Sequence, residues 1–404
     1  MAEVNESSRG LNLLVLASYF KGERFMQQAH RRGAKVYLLT QEKLLKSPWP
    51  RESIAEVFAL ANGSLLAHTI NSVSYLARSV RIDRIVPMDD YDVEVAAALR
   101  EHLRIPGMGD TTARHFRDKL AMRVKAQDEG IPVPEFVHVL NHDAIRDFIA
   151  RIPAPWMLKP RSEASASGIG KITSAEELWR EIDKKGDRAS NYLLERYVPG
   201  DVFHVDSIVS ERKVVFAAVH QCRRPPFDVA HGGGIFSTRT VLHGSPDDQA
   251  LRALNEIILT KLNLVRGVSH VEFIRRADGK LYMLESAARV GGAHIAEMIE
   301  ASTGVNLWEE WANIEIDKGA VPYKVPQTRD EYAGVLMTLA RMETPDFSAY
   351  ADPEIVYRAP EKNHAGLVVR SPDPERVRTL LESYVERFTR DFCAVMPAVE
   401  RPTN

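Results

Sequence analysis

HVEFIRRADGKLYMLES, residues 270–286, is the stretch on which the reading of the chain turns. Two alternating apolar runs flank Asp278-Gly279, the pattern of a two-residue β-hairpin turn. Such a turn sets Ala277 against Lys280. Counting back, Ile274 faces Met283 and Glu272 faces Glu285. Directly opposed residues have Cβ atoms roughly 5 Å apart, and like charges there destabilise the ladder. Val271, Phe273, Met283 and Leu284 surround the pair, which argues against an outer face in open solvent. A shared proton would offset the repulsion by raising one carboxyl pKa. A bound hard cation is the other solution: magnesium takes one or two carboxylates and completes its shell with phosphate oxygens and water. A one-residue slip of register would remove the pairing.

The neighbouring segments favour anions. Arg289 follows in ARVGGAHIAEMIEAST, where Gly291-Gly292 precede a helix with Ile295 and Ile299 on its apolar face. Glycines ahead of a helix leave backbone N–H groups free to meet an anion. Arg289 adds a positive fork suited to charge on a transferring phosphoryl group or an acyl intermediate. Lys159 ends the apolar strand WML, where a lysine either snorkels to solvent or addresses an anion. The loop SEASASGIG (162–170), with Ser165, Ser167 and Gly168, is small enough to close its backbone over phosphates. No GK[ST] follows, so it is not a Walker loop. Lys119 falls in the middle of a helix expected over 113–129, with Phe116, Leu120 and Val124 on one face. Gly130, Pro132 and Pro134 stop that helix. LLERYVPG (193–200) reads as a strand ending in a Pro-Gly turn, with Glu195 and the backbone at Tyr197 and Val198 suited to an adenine edge.

Further out, LNLLVLA (11–17), AKVYLLT (34–40) and DRIVPM (83–88) alternate with helical segments at about 21–32 and 91–102. Continuous apolar strands between helices imply an open parallel sheet. The first turn lacks GxGxxG, so this domain is not read as a dinucleotide site. With 404 residues, two or three domains are expected. Charged residues make up 27% and the formal net charge is −2. That balance excludes nucleic acid and anionic membranes as main partners. Cys222 and Cys393 are the only cysteines, which points away from a disulfide framework and fits the cytoplasm. No segment reads as a signal peptide or a membrane span.

Taken in order, these segments resemble the ATP-grasp superfamily over most of the chain. Closest in type are carboxylate–amine (L-amino-acid) ligases and biotin carboxylase-like proteins. The resemblance implies an α/β (α+β) fold: a parallel-sheet domain over 1–112, the ATP-grasp domain over 113–320 and a C-terminal α+β lobe over 321–404. It implies ATP binding by Lys119, Lys159, Ser165, Ser167, Gly168, Glu195, Tyr197 and Val198. Glu272 and Glu285 would hold Mg2+ (or Mn2+), and Arg289 would be the catalytic arginine. Two positions depart from the family pattern. Ala287 stands where the family has an asparagine, which leaves a second metal ion held less fully or by water. Val202 stands at the ribose position, leaving Asp201, His204 or Asp206 as alternatives.

The resemblance further implies phosphorylation of a substrate carboxylate and its transfer to an amine, with small-molecule substrates and a homodimer. VHQCRRPPFDVAHGGGIFSTRT (219–240) has no glutamate of the kind biotin carboxylase places near bicarbonate. It is read as a substrate loop: Arg223 and Arg224 would pair a carboxylate, and His231, Gly232 and Gly233 would shape a pocket. His294 is either a substrate residue or a helix-capping one. The expectation is a carboxylate–amine ligase. The alternatives are a biotin-type or purine-pathway carboxylase, or an ATP-binding regulator without turnover.

Overall fold

The apolar run at the start of the chain becomes the centre of a parallel sheet. The computed structural model describes residues 10–164, 166–317 and 322–394. Ser165 and the expected boundary at 320/321 lie outside them. In order come β1 (Asn12–Ala17), α1 (Glu23–Arg31), β2 (Lys35–Gln41), β3 (Glu56–Leu60), α2 (Leu66–Leu76), β4 (Arg84–Pro87) and α3 (Asp90–Leu103). The strands pair in the order β3-β2-β1-β4, all parallel. Both faces of β1 are covered: Leu13, Val15 and Ala17 enter one core, Leu14 and Leu16 another. This explains a strand without alternation. The sequence reading passed over β3, which is at most half-buried, and α2, whose flank exposes Leu65, Leu66 and Tyr75. Neither carries a clean period.

The helix expected over 113–129 is broken into α4 (Asp110–Arg114) and α5 (Lys119–Asp128). Asp118 is extended, and its carboxylate accepts from the N–H groups of Leu120 (3.0 Å) and Ala121 (3.4 Å). An N-cap of this kind starts a new helix. Lys119 is therefore the first residue of α5, not a mid-helix lysine, and it is buried. The break also changes the phase. Lys119, Met122, Arg123 and Ala126 face inward, while Val124, expected on the apolar face, is 45% exposed.

A small antiparallel sheet follows, from β5 (Phe136–His138), α6 (His142–Arg151), β6 (Trp156–Pro160), β7 (Gly170–Ile172), α7 (Ala175–Lys185) and β8 (Tyr192–Arg196), in the order β5-β8-β6-β7. Ile145, Phe148, Leu178 and Ile182 of the two helices pack on Trp156, Leu158 and Leu194. Ser174 caps α7, accepting from Glu177 N–H at 3.1 Å.

The remaining elements are β9 (Asp201–Ser210), β10 (Lys213–Cys222), α8 (Pro226–Gly232), β11 (Phe236–Thr240), α9 (Pro246–Lys261), β12 (Gly267–Arg275), β13 (Leu281–Ala287), α10 (Ile295–Thr303), α11 (Leu307–Asp317), β14 (Tyr332–Leu339), β15 (Ile355–Arg358), β16 (His364–Ser371) and α12 (Pro374–Asp391). Their strands form one eight-stranded sheet, β13-β12-β9-β10-β11-β14-β16-β15. β11 pairs antiparallel with β14, so the sheet runs on across residue 320. On one face Phe203, Val205 and Phe273 meet Leu251, Ile258 and Leu259 of α9. The opposite face packs against α10, α11 and the first unit: Ile208, Val268 and Val335 share a core with Ile295, Ile299 and Leu13.

The β12–β13 hairpin pairs Glu272 with Glu285, but not by the expected turn. Near the turn, Ile274 faces Tyr282 rather than Met283, and Arg275 faces Leu281. Arg276 N–H donates to Lys280 O at 3.0 Å, which closes a three-residue loop with Gly279 at φ +83°. A left-handed residue at that place is the mark of this longer loop. The register then shifts between Glu272 and Phe273. That bulge, at Leu284, restores the pairing of Glu272 with Glu285 and His270 with Ala287. Two one-residue shifts cancel.

Because the Asp118 cap sets where α5 begins, Asp118→Ala is expected to cost about 1–2 kcal/mol of stability. Asp118→Asn, which keeps the accepting oxygen, is expected to retain most of that stability. Denaturant unfolding of both variants measures the difference; equal losses would show that the cap does not matter.

Candidate functional site

The small antiparallel sheet and the eight-stranded sheet meet around one cavity of about 400 Å3. Lys119, Lys159, Glu195, Tyr197, Val198, Glu272, Glu285 and Arg289 all line it. β12 and β13 present the two acids from facing positions, both partly buried. β6 delivers Lys159, and β8 runs out through Glu195 into Tyr197 and Val198. Alternation on the strands does this: His270, Glu272 and Ile274 share a face, as do Val202, His204 and Asp206 on neighbouring β9.

The carboxylate pair is countered by a means that neither a shared proton nor a metal describes. Lys119 Nζ donates to Glu285 Oε1 at 2.8 Å and to the Glu163 carbonyl at 2.7 Å. On the other acid, His270 Nε2 lies 3.5 Å from Glu272 Oε1. Burial alone would raise the Glu272 carboxyl, yet His270 holds it below its ordinary value. Two adjacent carboxylates opening on a cationic cavity are a hard oxygen donor set, and they fit Mg2+ or Mn2+.

Glu195 is 1% exposed and makes two ion pairs, with Arg123 and with Lys159, each at 2.6 Å. Burial pushes its pKa up, but Arg123 and then Lys159 bring it below the usual carboxylate range. Its side chain thus holds Lys159. Tyr197 N–H donates to Pro155 O at 3.1 Å, and Val198 beside it lines the cavity. Arg289 Nε donates to Asp90 Oδ2 at 2.7 Å, and Nη1 to Val290 O at 2.9 Å. Burial opposes the Arg289 charge, but Asp90 and then Asp89 raise its pKa above the ordinary arginine value. Asp90 belongs to α3, so the first unit supplies the partner of Arg289.

Beneath the acids lies a cluster that sequence reading did not assemble. Asp206 is fully buried, with His204 Nδ1 at 2.7 Å from one oxygen and His270 Nδ1 at 2.8 Å from the other. His220 stacks on His204, and Thr238 Oγ1 lies 2.9 Å from His204 Nε2. Burial would raise the Asp206 pKa; His270 and His204 hold it far below its ordinary value. Burial lowers His220 to about 4. Against burial, Asp206 and Glu272 push His270 up to about 9. The signal was present as same-face pairs, HVD at 204–206 and HVE at 270–272. Their meeting needs the β9–β12 pairing, which sets His270 against Asp206 and Glu272 against His204.

The other expected residues stand elsewhere. From the small-residue loop, Ala164, Ala166 and Ile169 line the cavity, while Ser167 is buried and Gly168 turns at φ +69°. The expected substrate loop contains α8, and residues 225–230, Asp228 included, border the cavity. Arg223 lines a second cavity of about 210 Å3 with Arg239 and Arg378. Arg224 and His231 are exposed, and His231 Nδ1 lies 3.0 Å from Phe227 O. Gly232 and Gly233 end α8. His294 N-caps α10 in a left-handed conformation, 3.1 Å from Glu361 and 3.5 Å from Glu297. None of these six residues lines the main cavity.

Residues 152–297 match the family model of the ATP-grasp domain. An L-arginine-specific L-amino acid ligase of Bacillus subtilis is 27% identical over 241 residues, which is 58% of this chain and 58% of that protein. The chain thus spans less than two thirds of that relative's length. The crystal structure of an L-amino acid ligase from Bacillus licheniformis superposes with TM-score 0.74 at 16% identity, covering 96% of this chain and 99% of that one. The biotin carboxylase domain dimer of a Hydrogenobacter thermophilus 2-oxoglutarate carboxylase, solved with MgADP, ADP and bicarbonate, gives TM-score 0.70 at 17% identity over 93% of this chain and 89% of that one. Residues 152–297 thus match an ATP-grasp domain, and the chain shares the overall fold of these two structures over 93–96% of its length.

Proposed function

We propose that the protein is an ATP-dependent carboxylate–amine ligase that forms an amide or peptide bond through an acyl phosphate and releases ADP. The observation that carries this reading is the convergence of Lys119, Lys159, Glu272, Glu285 and Arg289 on one cavity beside an apolar wall. The likeness to L-amino acid ligases in both sequence and fold supports an amine as the acceptor.

In this reading Val198, Val202 and Ile274 take the adenine ring, and the backbone at Glu195 and Val198 meets its edge. Lys119 and Lys159 address phosphate oxygens. Lys119 turns toward them from Glu285, and Lys159 from Glu195. Glu272 and Glu285 hold Mg2+ (or Mn2+). Bound MgATP supplies the phosphoryl group that a substrate carboxylate oxygen accepts, and the amine nitrogen then displaces phosphate. Arg289, kept charged by Asp90, stabilises the negative charge that develops. No side-chain nucleophile is required. Small molecules are the partners, a homodimer is the assembly and the cytoplasm the compartment. No helix among the described residues is long and apolar enough to cross a membrane. The domain division at 112/113 and 320/321 belongs to the same reading, as do ATP contacts from the loop at Ser165, Ser167 and Gly168.

A panel of carboxylic acids and amines, read by ADP release, tests the proposal. ADP release is expected only when an acid and an amine are both present, and hydroxylamine is expected to trap the activated acid as a hydroxamate. Release driven by bicarbonate alone would make the protein a carboxylase. Nucleotide binding without turnover across the panel would make it a regulator. Glu285→Gln is expected to lower kcat about 10²–10³-fold while changing nucleotide affinity far less; wild-type kcat in that variant would remove Glu285 from the metal site.

A further inference from the structure

We infer that the second cavity, behind the eight-stranded sheet, is a binding site for a small oxyanion, a carboxylate or a phosphate, gripped by Arg223 and Arg239. None of the residues that line it lines the main cavity, so the site stands whether or not the ligase reading holds.

The register of β10 and β11 builds its floor. Gln221 pairs with Arg239 and Cys222 with Thr238, and Arg223 N–H donates to Ser237 O at 2.8 Å. Side chains alternate along a strand. Gln221 and Arg223 therefore share a face with Ser237 and Arg239. It is the face opposite to His220 and its cross-strand neighbour His204. The last helix covers it: Leu336, the partner of Ser237 on β14, shares a core with Leu380 and Leu381 of α12. Arg378, Leu381 and Glu382, which neighbour one another at helical spacing, form the outer wall.

The charges within this cavity do not balance. Glu382 is taken by Arg378 at 2.9 Å, and Asp201 at the rim by Arg275 at 2.8 Å. Arg239 is half-buried between sheet and helix, and its hydrogen-bonding partner is neutral, Gln221 Oε1 at 3.2 Å. Among the described residues the Arg223 side chain has no ion pair or hydrogen bond, and neither has the hydroxyl of Ser237, a residue only 3% exposed. Two guanidiniums and a hydroxyl thus offer donors, while both acids already have partners. A half-buried cation without a counterion bears a desolvation cost that an anion relieves. Guanidinium forks take carboxylate and phosphate oxygens bidentately. At about 210 Å3 the space is below the roughly 300–1,000 Å3 of sites for drug-sized ligands, which suits a small anion rather than a nucleotide.

The test is calorimetric titration of the full chain with inorganic phosphate and, separately, with succinate. Ionic strength is kept low, because salt screens exposed charges. Saturable binding is expected for at least one of the two, and the one that binds identifies the anion as a phosphate or a carboxylate. Arg223→Gln and Arg239→Gln are each expected to weaken that binding about 10-fold or more, the worth of a hydrogen bond to a charged group. Arg223 is exposed, so where Arg239→Gln fails to fold, Arg223→Gln decides alone. No saturable binding of either anion would overturn the assignment. Binding of wild-type strength in Arg223→Gln would overturn it too, by placing the anion elsewhere on the protein. Neither readout involves ATP turnover, so a failure here leaves the proposed ligase activity standing.

Discussion

Two carboxylates face each other across the β12–β13 ladder, and much of the surrounding structure answers to that repulsion. At roughly 5 Å and an effective dielectric constant near 20, two unit charges repel by about 3 kcal/mol. Glu285 is answered by Lys119, which must be buried at the start of α5 to reach it. That position exists because Asp118 caps the helix there. Glu272 is answered by His270, whose other nitrogen is anchored on Asp206. Each countercharge thus depends on a second residue from a different element, and the pair ties α5, β9, β12 and β13 into one unit.

The same logic explains why the first unit is part of the site rather than a wall beside it. Arg289 is desolvated, and a desolvated guanidinium needs a partner. Asp90, near the start of α3, is that partner, and its own burial is compensated by Arg289. Glu195 repeats the pattern within the second unit, bridging Arg123 and Lys159. Buried ion pairs of this kind contribute little net stability; removing one partner is what costs. Here they orient two of the cations that line the cavity, Arg289 and Lys159.

Much of this was legible in the sequence where it rests on periodicity. The apolar run of β1 and the strand at 156–160 follow from spacing, whereas Glu272 meets Glu285 only because a longer loop and a bulge offset each other. The bulge at Leu284 does not follow from spacing, because nothing local distinguishes a two-residue turn from a three-residue loop followed by a compensating shift. The break before α5 was hidden for a related reason: Asp118 sits in a run of good helix formers, and its capping role shows only in its backbone angles. Arg123 lies four residues beyond Lys119 on one helical face, yet its partner Glu195 is remote in sequence. His204, Asp206 and His270 carried the right alternation, but their contact depends on the order of strands in the sheet. The loop at 223–233 was read by its charges, whereas α8 forms and turns its apolar residues inward, leaving Arg224 and His231 outside.

Strand order also gives the cavity its polarity. On β9 and β12 the residues of the cavity side fall into matched rows, the first of them buried beneath it: Asp206 with His270, then His204 with Glu272, then Val202 with Ile274. Successive rows are two residues apart, roughly 6.6 Å along the strand. Over two such steps this side passes from buried charge to the facing carboxylates and then to an apolar cluster completed by Val198, Tyr282 and Leu284. Lys119 joins the charged end through Glu285. The nucleotide of the proposed reaction, charged at one end and flat at the other, has the build that such a gradient suits. The gradient arises because two adjacent antiparallel strands change character at the same level, and a register slip in either would set charge against the apolar row.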